Sequence, residues 1–283
     1  MFGYSKQAYY KQHTQRTADS IKQKVAQKMI LEIRKIMPRI GTRKLHHMLK
    51  EDFAREQITL GRDRLFAMLK AEGLLIHKVK RYTITTNSKH WLHKYPNLTK
   101  ELLPSRPEQL WVADITYIDT LQGFRYLHLI TDAYSKQIVG YEFCDNMEAT
   151  STLKALIMGL SKRQYPNQKL IHHSDRGLQY CSKLYTLTLQ KNSIHISMTE
   201  NGDPYENAVA ERVNGILKDE FGLGERFEDD KQCQKQINES ILTYNNLRPH
   251  LSCQMMTPDQ MHKQQEIKIK TWKKKTTNSK RAA

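Results

Sequence analysis

The sequence predicts an α/β protein with a mixed five-stranded sheet flanked by helices, preceded by a small all-helical region. Three β-rich runs between residues 109 and 145 are joined by short turns, which is typical of an antiparallel meander. Helical and strand patterns then alternate as far as residue 245, as expected where helices cover a mixed sheet. Before residue 80, apolar residues recur only at helical spacing.

Three short helices are predicted in the first 80 residues. The first covers 20–37 and is stopped by Pro38. Thr42 is expected to cap the second, and the third is expected to end at Gly73. The arrangement resembles a helix-turn-helix, although a plain three-helix bundle with solvated charge fits the pattern equally well. The cations that a DNA duplex would meet here are Arg43, Lys44, Arg62 and Arg64.

Net charge is +17 over 283 residues, and it is unevenly distributed. Residues 1–100 contain 22 basic and seven acidic side chains, and residues 262–283 contain eight and one. Residues 101–261 contain 16 basic and 21 acidic side chains, so basic flanks surround a slightly acidic middle. Each phosphate that a basic side chain neutralises releases condensed counterions, so this asymmetry favours nucleic-acid binding over a role in solubility alone.

Other compositional features indicate a cytoplasmic protein. The sequence has no run of 18 or more apolar residues, and its N-terminus lacks the apolar core of a secretory signal. The four cysteines form no CxxC pair, so they are expected to be reduced thiols. The predicted segments are 1–19 (N-terminal extension), 20–80 (helix-turn-helix region), 81–106 (linker), 107–262 (α/β core) and 263–283 (basic tail).

Two acidic residues occupy unusual positions in the predicted sheet. Asp114 lies within the strand WVADITYI, on the same face as apolar residues, where a charge is costly unless it is functional. Asp175 follows the short strand KLIHHS, at the mouth where mixed sheets bind ligands. Each has an ordinary alternative, since strand aspartates can point to solvent at an edge and aspartates are common in turns.

A third acid lies on a predicted helix covering about 205–220. Asp203 and Pro204 form a strong helix start. Asn207, Glu211 and Lys218 recur at steps of four and seven, so they share one face. Glu211 could be only the solvated side of an amphipathic helix, and Asp219 and Glu220 are expected to be solvated.

Three carboxylates in one cleft repel each other and raise each other's pKa, and a divalent cation reverses that cost. Ligation by oxygen alone favours Mg²⁺ or Mn²⁺ over zinc. Two such ions about 4 Å apart can activate an attacking oxygen and stabilise a leaving oxygen at phosphorus. The residues therefore predict a phosphoryl-transfer site at Asp114, Asp175 and Glu211.

The sequence resembles the transposases of bacterial insertion sequences, specifically the second reading frame, orfB, of the IS-three family. The resemblance is carried by WVADITYI, HHSDRGLQY, NGDPYENAVAERVNGILKDE, and YNNLRPH with Thr257-Pro258. Between Asp175 and Glu211 lie 35 residues, the spacing that this family shares with retroviral integrases. IGTRKLHHML is similar to the family's small helix-turn-helix segment, so the resemblance covers nearly the whole chain.

This resemblance implies a ribonuclease-H-like integrase core in which Asp114, Asp175 and Glu211 are the catalytic metal ligands. It implies that Lys218 contacts terminal DNA, and that Arg176 and Asn207 shape the site or contact DNA. The YNNLRPH motif fits a position after the core, where a structural helix end is at least as good an interpretation as direct contact.

The function implied is that of a DNA transposase, a polynucleotidyl transferase that performs metal-dependent 3′-end cleavage and strand transfer on element ends and target DNA. Family members act in paired-end complexes, which implies at least a dimer on DNA, at the bacterial nucleoid. They usually include an upstream-frame protein joined by frameshifting, which is therefore an expected partner or fusion. A non-catalytic DNA-binding regulator and a ribonuclease-H-like nuclease on RNA–DNA hybrids are the alternatives.

Overall fold

The computed structural model describes residues 6–77, 92–200 and 207–269. The predicted helix start at Asp203 and Pro204, part of the linker and most of the basic tail lie outside these residues. Within them the chain forms ten α-helices and one five-stranded sheet. Across the same ranges, no helix combines the length and apolar character needed to cross a membrane.

The N-terminal region is helical, as predicted, with two differences in its helix boundaries. The first helix ends before Pro38 but begins at Lys6, because residues 6–19 contain no glycine or proline that would stop it. The predicted second helix is divided at Leu49 into two short helices. The four helices are α1 (Lys6–Ile36), α2 (Thr42–Met48), α3 (Lys50–Arg55) and α4 (Arg62–Ala71).

The ends of these helices use glycine rather than threonine. Gly41 caps α2 with an extended backbone, whereas Thr42, the predicted cap, is the buried first residue of that helix. Gly73 follows the cap residue of α4 with φ +65, a left-handed conformation that glycine adopts at low cost. The predicted end of this helix at Gly73 is therefore confirmed.

The sheet confirms the predicted fold class. The strands are β1 (Leu110–Thr120), β2 (Gly123–Asp132), β3 (Ile138–Cys144), β4 (Ile171–Ser174) and β5 (His195–Met198). Strands β1, β2 and β3 form an antiparallel meander, and β4 and β5 add to it in parallel, giving the order β3-β2-β1-β4-β5. The central strand is therefore β1, which pairs with β2 on one side and β4 on the other.

Six helices belong to the core. A four-residue helix, Leu178–Cys181, precedes the helix Lys183–Lys191, and Ser182 between them has an extended backbone and caps the second by accepting a hydrogen bond from the Tyr185 amide. A short helix with a Thr257 capping box was not predicted. The core helices are α5 (Ala149–Ser161), α6 (Leu178–Cys181), α7 (Lys183–Lys191), α8 (Ala208–Glu220), α9 (Asp230–Asn246) and α10 (Pro258–His262).

Apolar side chains cover both faces of the sheet. On one face, Trp111 and its neighbours on β1 pack against α5, and Gly140 of β3 allows close contact, since a Cβ there would lie 2.1 Å from the Ala155 carbonyl oxygen. On the other face, Ile118 packs in a cluster that includes apolar residues of α8 and α9. That cluster continues into the N-terminal helices, so α8 lies between the sheet and the helical region.

Candidate active site

Asp114 lies in the middle of β1 and faces α8. Its side chain is partly buried, and its Oδ2 accepts a hydrogen bond of 2.7 Å from Nδ2 of Asn214, on α8. One residue earlier, the carbonyl oxygen of Ala113 accepts a hydrogen bond of 3.1 Å from Nδ2 of Asn207. Two amide side chains thus join the first half of α8 to the strand that carries the acid.

Asp175 lies beside Asp114 because β4 runs parallel to β1. Val112 is opposite His173 in the register, and two further residues along each chain bring Asp114 level with Asp175. Neighbouring strands are about 4.8 Å apart, and the negative charge of Asp175 is accordingly one of the causes that raise the pKa of Asp114. Asp175 Oδ1 accepts a hydrogen bond of 3.0 Å from the Gly177 amide, which closes the turn after the strand.

Glu211 lies one helical turn before Asn214 on α8, and its side chain is exposed. Partial burial nevertheless raises the pKa of its carboxyl. The helix therefore presents Glu211 on the same side as the amide that contacts Asp114.

The electrostatics of this site disfavour three ionised acids. The pKa of Asp114 is raised from 3.8 to about 7, mainly by burial, then by the negative charge of Asp175 and, to a smaller extent, by that of Glu211. The hydrogen bonds from the Ile115 amide and Asn214 oppose the rise and do not cancel it. The charges of Asp175 and Glu211 therefore act on Asp114 through space, although the three residues are distant in sequence.

The donor set fits a hard divalent cation. Carboxylate oxygens are the ligands that Mg²⁺ and Mn²⁺ prefer, and a cation would remove the repulsion that raises the Asp114 pKa. In addition, Asn207 and Asn214 each have a buried Oδ1 atom without a hydrogen-bond partner. In the described parts of the chain, no three His, Cys, Asp or Glu side chains already stand close enough together to hold a metal ion.

Comparison with known proteins identifies the family. A family model described as "Integrase core domain" matches residues 104–204, and a second model of the same description matches residues 192–258. An insertion element IS600 uncharacterized 31 kDa protein from Shigella sonnei is 36% identical over 254 residues, which are 88% of this chain and 92% of that protein. The transposase InsF for insertion sequence IS3fB from Escherichia coli is 32% identical over 200 residues, 70% of this chain and 69% of that protein.

The chain belongs to the insertion-sequence transposases of the IS3 family. It carries their integrase core and is a polynucleotidyl transferase of DNA transposition, which confirms the family resemblance drawn from the sequence. Among solved structures, the catalytic core domain of HTLV-2 integrase matches with a TM-score of 0.45 and 19% identity, over 56% of this chain and 97% of that structure.

The transposase presents its predicted DNA contacts in two different settings. On the N-terminal helices, Arg43, Arg62 and Arg64 are exposed, and Arg62 Nε lies 2.7 Å from Oδ1 of its neighbour Asp63. Lys44, in contrast, has a side chain only 12% exposed and forms an ion pair of 2.8 Å with Glu220 at the end of α8. Its ammonium is thus turned toward the transposase core rather than toward solvent.

Three further predicted residues lie beside the acids in sequence or on the same helix. Arg176 is partly exposed directly after Asp175, and Lys218 is partly buried two helical turns beyond Glu211. Asn207 is only 7% exposed, and its amide is used in the contact with β1. The structure therefore places Asn207 where it positions α8.

Sequence reasoning missed two residues of the transposase. Asn214 was not singled out, although it shares a helix face with Asn207, Glu211 and Lys218. Glu220 was expected to be solvated, and this was wrong: its side chain is 15% exposed and pairs with Arg248 and Lys44. The spacing contained the signal, because Glu220 continues the face of Val213, Ile216 and Leu217.

Proposed function

We propose that this transposase cleaves the 3′ ends of its element and transfers the freed strands to target DNA at Asp114, Asp175 and Glu211. The main support is the pKa of Asp114, which burial and, after it, the negative charges of Asp175 and Glu211 raise to about 7, as suits a site that binds cations. Two Mg²⁺ or Mn²⁺ ions bound there would polarise the scissile phosphate and neutralise the charge that develops on it.

The protein's own residues would bind and orient the reactants. Asn214 donates a hydrogen bond to Oδ2 of Asp114 and so fixes the orientation of this carboxylate. The second oxygen, Oδ1, would then be available to bind a cation. Lys218, on the same helix face as Glu211, would contact a phosphate of the terminal DNA. Because such reactions need little covalent participation by the protein, positioning and charge neutralisation would supply most of the catalysis.

The helix-turn-helix region at 20–80 would hold the duplex through its exposed arginines, Arg43, Arg62 and Arg64. We propose that the catalytic core covers residues 107–262, between a linker at 81–106 and a basic tail at 263–283. We further expect two or more copies on paired element ends, and the upstream-frame protein as a partner or fusion. Binding to the bacterial nucleoid follows from the same affinity for DNA.

The function is tested with three labelled substrates, each with and without MgCl₂. They are a duplex ending in the element's terminal sequence, a scrambled duplex and an RNA–DNA hybrid. Metal-dependent nicking and joining of the element end is expected, and it should vanish in Asp114→Asn while DNA binding persists. The matched control Asp119→Asn changes an acid farther along β1 that pairs with Arg226, and it should retain activity.

Each alternative predicts a different result from the same assay. Binding of the element end without any metal-dependent cleavage would identify a DNA-binding regulator. Preferential cleavage of the hybrid would identify a ribonuclease-H-like nuclease. The assay is run with the chain alone and with the upstream-frame protein, so that a need for that partner is measured directly.

A further inference from the structure

Glu220, the last residue of α8, connects three parts of the chain. Its carboxylate accepts two hydrogen bonds from Arg248, from Nε at 2.8 Å and from Nη2 at 2.7 Å. The same carboxylate accepts a hydrogen bond of 2.8 Å from Nζ of Lys44, on α2. Its backbone carbonyl oxygen accepts a hydrogen bond of 3.1 Å from the amide of Arg39, between α1 and α2. Two polar contacts thus cross from the helical region to the core, and both end on Glu220.

The environment of this carboxylate is unlike that of a surface ion pair. The side chains of Arg248, Lys44 and Glu220 are 2%, 12% and 15% exposed. Burial opposes ionisation of Glu220, but Arg248 and Lys44 outweigh it and hold the pKa of the carboxyl below its ordinary value. Charges buried in this way are costly to separate, because each would remain without a partner in a poorly solvated place.

Arg248 is itself held in place on its other sides. Its Nη1 donates a hydrogen bond of 2.8 Å to Nε2 of His250, and its guanidinium lies 5.7 Å from the centroid of the Tyr244 ring. These residues belong to the stretch YNNLRPH, to which the proposed chemistry assigns no part. The stretch acts as a rigid anchor for the end of α8.

The other end of α8 is attached to the acidic site. Asn207 and Asn214 bind β1 at Ala113 and Asp114, and Glu211 and Lys218 lie on the helix between Asn207 and Glu220. Helix α8 has 13 residues and is packed closely against its neighbours, so a displacement of one end is transmitted to the other. The position of α8 is therefore set jointly by the acidic site, the YNNLRPH stretch and the helical region.

We infer that Lys44 and Glu220 are positioning residues, which lock the helical region onto α8 so that bound DNA is presented to the acidic site in one fixed orientation. This inference rests on the proposed function for its catalytic consequence, but the lock itself does not require it. It also gives Lys44 a role different from that of a phosphate contact, which the sequence alone predicted.

The test compares four variants of the full chain. Lys44→Met removes the ammonium and keeps the length of the side chain, and Lys44→Arg restores a cation. Arg43→Met removes the exposed neighbouring cation that is proposed to contact DNA. Lys35→Met removes a surface ion pair in the same region, between Lys35 Nζ and Glu32 Oε1 at 2.8 Å, whose side chains are 68% and 55% exposed.

Three measurements are made on each variant. Hydrogen exchange is followed in peptides covering residues 39–49 and 213–221. Affinity for a duplex of arbitrary sequence is measured as a function of salt concentration. Metal-dependent cleavage of the element end is measured at saturating DNA, with the melting temperature recorded to show that each variant is folded.

For Lys44→Met we expect exchange several-fold faster on both sides of the contact, because the opening of this interface is now easier. The salt dependence of binding should be unchanged, and cleavage should fall about tenfold, a usual size for coupling between two parts of a protein. Lys44→Arg should recover most of both losses. Lys35→Met should match the parent chain in exchange, and Arg43→Met should lower the salt slope by about 0.9 with normal exchange.

Two outcomes would overturn the inference. If Lys44→Met lowers the salt slope as Arg43→Met does and leaves exchange unchanged, Lys44 is a DNA contact. If Lys44→Met equals the parent chain in all three measurements, the ion pair between Lys44 and Glu220 does not fix the position of the helical region on α8. Should the parent chain itself fail to cleave, the proposed function is wrong, while the exchange data still decide whether Lys44 and Glu220 form a lock.

Discussion

The acidic side chains at the two ends of helix α8 have pKa values that are shifted in opposite directions. Near its beginning, the carboxylate of Asp114 has one amide donor from Asn214 and the charges of Asp175 and Glu211 nearby, and its pKa is raised. At its end, the carboxylate of Glu220 is paired with Arg248 and Lys44, and its pKa is lowered. One helix thus joins an acid whose pKa is raised to an acid whose carboxylate is paired with two cations.

The difference separates structural acids from functional ones. A buried carboxylate that already has its cations is costly to unpair and has nothing left to offer a ligand. Carboxylates that repel one another destabilise the fold, and they are kept where a function requires them. The comparison therefore predicts that substitutions at the two ends of α8 affect different properties.

The largest expected effect is the loss of cleavage in Glu211→Gln. Removing one proposed metal ligand should lower the cleavage rate at least about a thousandfold, since the ions would supply several kcal/mol of transition-state stabilisation. The melting temperature should stay the same, because the side chain is exposed. Activity within tenfold of the parent chain would remove Glu211 from the site. In Glu220→Gln stability should clearly fall, and cleavage should fall only about as far as in Lys44→Met.

The next effect concerns Arg248. Arg248→Met leaves Glu220 buried without its main cation, so the free energy of unfolding should fall by about 3–5 kcal/mol, as measured by urea denaturation. The control is Arg226→Met, which removes an exposed pair whose Nε and Asp119 Oδ1 atoms are 3.6 Å apart and should cost less than about 1 kcal/mol. Equal effects of the two substitutions would contradict the contrast drawn between buried and exposed pairs.

Much of the fold could be predicted from the sequence, because local patterns decide it. The alternation in β1 and the apolar spacing of α5 and α8 are visible in any short window, and these elements formed as expected. The start of α1 at Lys6 was missed, since an exposed helix carries no apolar period. The N-cap of α2 was also predicted wrongly, because a helix start one residue earlier makes Gly41 the cap and Thr42 the first helical residue.

Local sequence patterns predicted the residues of the candidate site but not their arrangement in space. Asp114 and Asp175 could be named from their strands, but their closeness depends on the parallel register of β1 and β4, which no local pattern fixes. The pairing of Lys44 with Glu220 joins residues that are 176 positions apart in the sequence. From the sequence alone, Lys44 was predicted to contact DNA. Contacts of this kind depend on packing between regions, so only the folded chain reveals them.

A smaller effect is expected at Asn214. Asn214→Ala removes the amide that orients Asp114, so about 10- to 100-fold more Mg²⁺ or Mn²⁺ should be needed for half-maximal cleavage. The comparison is Asn192→Ala, which removes an exposed amide that donates only to the Thr188 carbonyl and should leave the metal dependence unchanged. If both variants titrate alike, Asn214 has no part in the site.

The smallest expected effect is a pH dependence of stability in the absence of metal. The folded protein holds a proton on Asp114 up to about pH 7, whereas the unfolded chain loses it near 3.8. Stability should therefore fall as pH rises between about 4 and 7, by less than the ~1.4 kcal/mol per pH unit of a full shift, because water reaches the partly exposed side chain. Urea denaturation in EDTA at several pH values, compared with Asp114→Asn, measures this. A parent chain and variant with the same pH profile would contradict the raised pKa.

The anchoring of α8 by Arg248 also has a consequence for the order of synthesis. Arg248 follows Glu220 by 28 residues, so the ribosome must extend the chain well past α8 before that helix can be fixed. The helical region, which includes Arg43 and Arg62, is translated first. The proposed DNA contacts of the transposase are therefore synthesised well before the residue that completes the anchoring of α8.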